Sequence, residues 1–297
     1  MSRRLFYCDH YAIPLPPGHK FPMSKYRRVR DLLAETGFYT FQCAPLASAD
    51  IVELAHDHEY VRQFIHGDLP AAAIRRIGFP WSEGLVKRTL ASVGGTLGAT
   101  EDAFRTSWGG NLAGGTHHAF RAEGSGFCVF NDIAVAIEFL RSQGRIGKAA
   151  VIDLDVHQGD GTAQIFEPDP DVFTLSLHCR SNFPFRKQRS KLDVELADGT
   201  TDEEYLRALD QALPSVFAFE PSIIYYQSGV DGLASDSLGK LALSPQGLQE
   251  RDRRVMAAVS AHGIPLVVTL GGGYSVPIEL TAQAHANTFC MAQEIFG

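Results

Sequence analysis

The chain has 297 residues, 45% of them hydrophobic, with a mean hydropathy of -0.06, which suits a water-soluble globular protein with ample material for one large core and a single domain over 1–297. A formal charge of -7 and a pI near 5.9 argue against a surface built for nucleic acid or anionic membrane, while leaving room for a local basic patch. Five scattered cysteines without a C-x-x-C pair, no apolar run long enough for a signal peptide in MSRRLFYCDHYAIP, and no stretch of transmembrane length make a reducing, cytoplasmic setting the expectation.

In chain order, Leu5-Phe6-Tyr7 reads as a short first strand ending in polar residues. Pro14, Pro16, Pro17 and Gly18 enforce a loop, and a helix over 25–35 places Tyr26, Val29, Leu32 and Leu33 on one face. His56-Asp57-His58 opens a further amphipathic helix. Two histidines two residues apart do not share a helical face, so His56 and His58 read as capping or surface groups. Ser82 to Phe104 carries a long helical pattern in which Gly94, Gly95 and Gly98 would admit close packing. Small residues then precede Thr116-His117-His118, suggesting backbone beside a cavity and two imidazoles facing one substrate. Gly126-Phe127 makes a glycine-flanked turn carrying an aromatic, and Asn131 or Asp132 caps a helix to Gln143.

Unbroken apolar runs at 149–154, 172–177, 222–226 and 265–270 read as buried parallel strands, alternating with helices at 202–217, 244–262 and 277–295. That alternation specifies an α/β fold with a mostly parallel central sheet flanked by helices on both faces. Its ligands are expected at the carboxyl ends of the strands. The strand at 149–154 runs into Asp153, Asp155, His157 and Asp160. Asp153, Asp155 and, if the extension persists, His157 point to one side, and carboxylates so close together demand a cation or several donors. A divalent ion is the simplest compensator. Gly159-Asp160-Gly161 reads as a tight turn around the site. The strand at 222–226 leads to a third acid, Asp231. The strand at 265–270 leads to Gly271-Gly272-Gly273-Tyr274, where bare backbone lines a slot and a phenol can donate.

Six blocks in order carry a resemblance to the zinc-dependent histone deacetylase family: Gly115-Thr116-His117-His118; Gly126-Phe127-Cys128 with Asn131-Asp132; Asp153 through Thr162; Ser176-Leu177-His178; Gly229-Val230-Asp231; and Gly271 to Tyr274. Segments 183–206 are similar to the class four branch and its bacterial relatives. The resemblance implies the arginase/deacetylase-like three-layer fold and hydrolysis of an N-acyl amide, acyl-lysine or a small acylated amine such as an acetylpolyamine, without nucleic-acid or membrane partners. It implies Asp155, His157 and Asp231 as ligands of zinc, with iron(II) as an alternative ion, and potassium at Asp153 and Ser176. By the same likeness, His118 backed by Asp160 is the general base, His117 backed by Asp153 its polar neighbour, and Tyr274 the donor to the developing oxyanion. Gly126, Phe127, Gly272 and either Phe183 or Phe185 would line the substrate tunnel. Eukaryotic class one members place an acid in the loop before the helix at Ser82, where this chain has Gly78. A two-manganese ureohydrolase is disfavoured because Gly232-Leu233-Ala234, not further acids, follows Asp231. A non-catalytic acyl-lysine binder is disfavoured by the presence of His117, His118 and Tyr274.

Overall fold

The computed structural model describes residues 3–11 and 13–297. Eight parallel strands form one sheet: β1 (Arg3–Tyr7), β2 (Tyr39–Cys43), β3 (Trp108–Asn111), β4 (Ala149–Asp153), β5 (Val172–Cys179), β6 (Leu192–Leu196), β7 (Ile224–Gln227) and β8 (Leu266–Thr269), in the spatial order β2-β1-β3-β8-β7-β4-β5-β6. The helices are α1 (Ser24–Glu35), α2 (Ala49–Val52), α3 (His58–His66), α4 (Ala71–Ile77), α5 (Glu83–Thr106), α6 (Asp132–Ser142), α7 (Asp160–Phe166), α8 (Asp202–Ala218), α9 (Pro245–Ala261) and α10 (Ile278–Phe296). They pack as two sets, α1-α10-α9-α8 on one side and α2, α3, α5, α6 and α7 on the other, making three layers. Every residue of β4, β7 and β8 is buried, as parallel strands covered on both faces must be.

Three strands escape a propensity reading. β2 and β6 are edge strands, half exposed and polar in composition. β3 is Trp108-Gly109-Gly110-Asn111, and glycines are poor strand formers. A Cβ at Gly109 would stand 1.9 Å from the Ala99 carbonyl oxygen, so the α5 backbone excludes any larger residue from this strand. Gly94 likewise presses α5 onto the Pro45 carbonyl, as the small-residue pattern anticipated.

His56 is neither a cap nor a surface group, correcting the sequence expectation. It is 2% exposed, and α3 begins after it with Asp57 as the capping residue. Its Nδ1 lies 3.0 Å from the Phe120 carbonyl oxygen, while its Nε2 accepts the Asn131 N–H at 2.8 Å. Only the neutral Nδ1–H tautomer satisfies both contacts. Arg251 and Asp252, which sit in a charge-rich stretch of α9, are also buried. The Arg251 guanidinium bonds Asp252 at 2.8 Å and donates to the Gly229 carbonyl at 2.6 Å, tying α9 to the loop after β7.

Two outcomes are expected. Arg251→Leu strands a buried carboxylate and should cost about 3–5 kcal/mol in urea unfolding, whereas Arg253→Leu, which breaks only an exposed pair with Glu250, should stay within about 1 kcal/mol. Burial lowers His56 to a pKa of about 4 against an ordinary 6.5, so the unfolded chain binds the extra proton between those values. Stability should therefore fall as pH drops from about 6.5 to about 4, and His56→Gln should flatten that slope by on the order of 3 kcal/mol.

Candidate active site

Four neighbouring strands, β3, β8, β7 and β4, deliver their carboxyl-end loops to one place, although they stand far apart in the chain. β4 ends at Asp153, so the extension does not persist: Leu154 to His157 is a bend, and Asp160 opens α7 instead of forming a free turn. The alternation argument for the acids therefore fails, and tertiary contacts sort them. Asp153 turns to His117, with Oδ2 at 2.7 Å from Nδ1, and its other oxygen accepts the Asp155 N–H. Asp160 lies 2.6 Å from His118 Nδ1. Asp155, His157 and Asp231 bring one ligand atom each within 4.8 Å of one another.

Backbone donors hold these carboxylates in place. Gly272 N–H donates to Asp155 Oδ2 at 2.7 Å, His157 N–H to Asp155 Oδ1 at 3.0 Å, and Val156 N–H to Asp231 Oδ1 at 2.9 Å. A Cβ on residue 272 would stand 1.9 Å from Asp231 Oδ2, so only glycine lets this strand end approach the acids. Burial, then the Asp155 charge beside it, pushes Asp231 up to about 7. Two buried carboxylates and one imidazole, with that repulsion between them, are a donor set that a divalent ion fits.

The two histidines differ. Burial and the neighbouring His117 charge lower His118 to about 4 despite Asp160. Burial would lower His117 too, but Asp153 and Asp155 outweigh it and raise it to about 9. Their rings lie 4.1 Å apart. Burial, reinforced by Asp231, raises the Tyr274 phenol well above its ordinary value, so it stays protonated.

His117, His118, Asp155, His157, Asp231 and Tyr274 line one pocket of about 620 Å³, with Asp153 and Asp160 behind the two histidines. Gly126 abuts the His118 ring, and Phe127, at φ 66°, is held in the left-handed region by its N–H bond to the Ile77 carbonyl at 2.8 Å. Phe183 stands edge-on to His118 at 5.0 Å and forms the inner wall. Phe185 also lines the pocket but is 90% exposed, at its mouth. Ser176 is the register partner of Asp153 across β4 and β5, and its hydroxyl lies 2.9 Å from His178 Nδ1.

Residues that the sequence did not place at the site support its loops. Asp132 accepts Thr116 N–H at 2.8 Å and Gly115 N–H at 3.2 Å, fixing the turn before the histidines. Asp236 accepts Tyr274 N–H at 2.6 Å. Lys25, fully buried, donates to the Gly271 carbonyl at 2.9 Å and lies 5.2 Å from the Tyr274 ring centroid. The spacing of Asp132 directly after the capping Asn131 was the one available signal; a lysine on an amphipathic helix offers none.

The histone deacetylase domain profile matches residues 19–290. The chain is 42% identical to an uncharacterised protein of Picosynechococcus sp. over the full length of both. It is 35% identical to histone deacetylase 2 of Arabidopsis thaliana, over 86% of this chain and 70% of that protein. The structure of acetylpolyamine aminohydrolase from Burkholderia pseudomallei superposes with a TM-score of 0.81 at 18% identity, covering all of both chains, which identifies the same arginase/deacetylase-like fold. With its profile match running nearly end to end and relatives aligned along most of its length, this chain belongs to the histone deacetylase family.

Proposed function

We propose that the chain hydrolyses the amide of an N-acylated primary amine, acyl-lysine foremost, using a zinc ion held by Asp155, His157 and Asp231. The observation that carries this reading is the convergence of the three-residue ligand group, two His–Asp pairs and the Tyr274 phenol in one aromatic-walled pocket. When bound, such an ion supplies Lewis-acid polarisation of the amide carbonyl and of an attacking water.

The protein groups do the rest. His118 is neutral at pH 7, so its Nε2 is free to take the proton of the water while Asp160 holds Nδ1, and it then returns that proton to the departing amine. His117 keeps its proton beside Asp153 and stabilises negative charge next to it. Tyr274, protonated, donates to the carbonyl oxygen as charge develops there. Phe127 and Phe183 flank an extended alkyl chain and exclude water from it. Potassium beside β4 is the companion ion of this reading, near Asp153 and Ser176.

The test couples metal content by plasma mass spectrometry to hydrolysis of lysines bearing acetyl, octanoyl and myristoyl groups. One zinc per chain and chelator-sensitive turnover are expected; metal without turnover on any amide would favour a binding protein. Tyr274→Phe should lower kcat by about 10²-fold or more while retaining metal, because only the donor to the oxyanion is lost. Asp231→Ala should lose metal and activity together, and retention of both would refute the ligand assignment.

A further inference from the structure

We infer that the mouth of this pocket selects acyl-lysines set among acidic residues and rejects polycationic amines; the inference rests on the amide-hydrolase reading above and names its substrate class. The chain carries a net charge of -7, yet the residues around the opening are basic. Lys20, Arg75, Arg76 and Lys240 line the pocket, and all four are exposed. Its only lining carboxylates are Asp155 and Asp231, at 1% and 0% exposure, deep in the floor. Arg76 is taken up by Glu123, and Lys240 lies 3.9 Å from Asp198. Lys20 and Arg75 have no ion pair among the described residues.

The other wall is basic as well. From Arg180 to Lys191 the chain holds five cations and no acid, and this segment supplies Phe183 and Phe185 to the pocket. Lys187 is turned inward onto the carbonyls of Asn182 and Pro184, but Arg186 is exposed and unpaired among the described residues. Gly78, between Arg76 and the pocket wall, has φ 89°, and a Cβ there would stand 3.0 Å from the Phe127 ring. Any side chain at that position would occupy a left-handed backbone and press on the Phe127 ring, and with glycine there no carboxylate offsets the rim cations from this loop.

The cations come from separate segments and do not converge on one point. They therefore suit charges distributed on either side of an inserted acyl-lysine, as in an acidic peptide, more than a single phosphate. A nucleic acid would extend its charge well past the rim against an acidic protein. An acylated polyamine brings further ammonium groups against Lys20 and Arg75, which is unfavourable.

The test compares acyl-lysine heptapeptides flanked by Glu, Ser or Lys, together with N-acylspermine, a trication that should be the poorest substrate of the set, using the acyl group turned over fastest. The Glu peptide should exceed the Lys peptide in kcat/KM by about tenfold, mainly through KM, and the gap should shrink at about 0.5 M salt. In the Lys20→Glu/Arg75→Glu double variant that ratio should fall to unity or invert. Equal or reversed preference in the unmodified protein, a ratio unmoved by the double variant, or stronger inhibition by duplex DNA than by the Glu peptide would overturn the inference. Fluorescence anisotropy of the same peptides on the Tyr274→Phe protein reads the mouth alone. Charge discrimination there without hydrolysis by the unmodified protein would sink the amide-hydrolase reading and keep the charge preference; hydrolysis without discrimination would do the reverse.

Discussion

The interaction on which this structure depends is the enforced proximity of two buried carboxylates, Asp155 and Asp231, at the carboxyl edge of the sheet. Like charges so close in a medium of low polarity repel strongly. The fold meets that cost with fixed donors: the backbone N–H groups of Val156, His157 and Gly272 point at the carboxylate oxygens. A parallel sheet makes this possible because all its strands end on the same side, so loops from β4, β7 and β8 meet there. Burial first, and the Asp155 charge second, still raise Asp231, and a divalent cation would relieve both costs.

Around this centre runs a layer of groups that act on backbone. Arg251 reaches the carbonyl of Gly229, Lys25 that of Gly271, Asp132 the N–H groups of Gly115 and Thr116, and Asp236 that of Tyr274. Together they secure the loops after β3, β7 and β8, and Arg251, Lys25 and Asp132 are charged side chains fully removed from water. Their desolvation is offset only because charged hydrogen bonds to a rigid partner are stronger than neutral ones. The two histidines show how few charges decide the outcome: burial disfavours the charged form of both rings, 4.1 Å apart, but His117 has Asp153 and Asp155 to overcome it, whereas His118 has Asp160 alone and the His117 charge against it. Electrostatics thus ranges from tightly paired in the floor to open at the rim, where unpaired cations face solvent.

Much of this was legible in the linear chain. The apolar runs around Val151-Ile152 and Val267-Val268 mark buried strands, and the acids after the first of them mark a site at the sheet edge. The pairing of His117 with Asp153 and of His118 with Asp160 followed from resemblance, and the distances agree with it. The strand β3 was hidden because two of its four residues are glycines, chosen by contact with α5 and not by strand propensity. The edge strands β2 and β6 were hidden because half-exposed strands need no apolar run.

By itself, then, the sequence determined the layered parallel architecture and the residue types gathered at its edge, because periodicity and local chemistry are properties of neighbours along the chain. Only the tertiary structure decided how the acids are oriented, since β4 ends at Asp153 and the chain bends there, so contacts and not strand alternation set their directions. It also decided that His56, Lys25 and Arg251 lie inside, that Phe183 forms the wall while Phe185 stands at the mouth, and that separate cations share one rim. Those outcomes depend on contacts between residues 22 to 246 positions apart in the chain, and such separations leave no periodic trace in it.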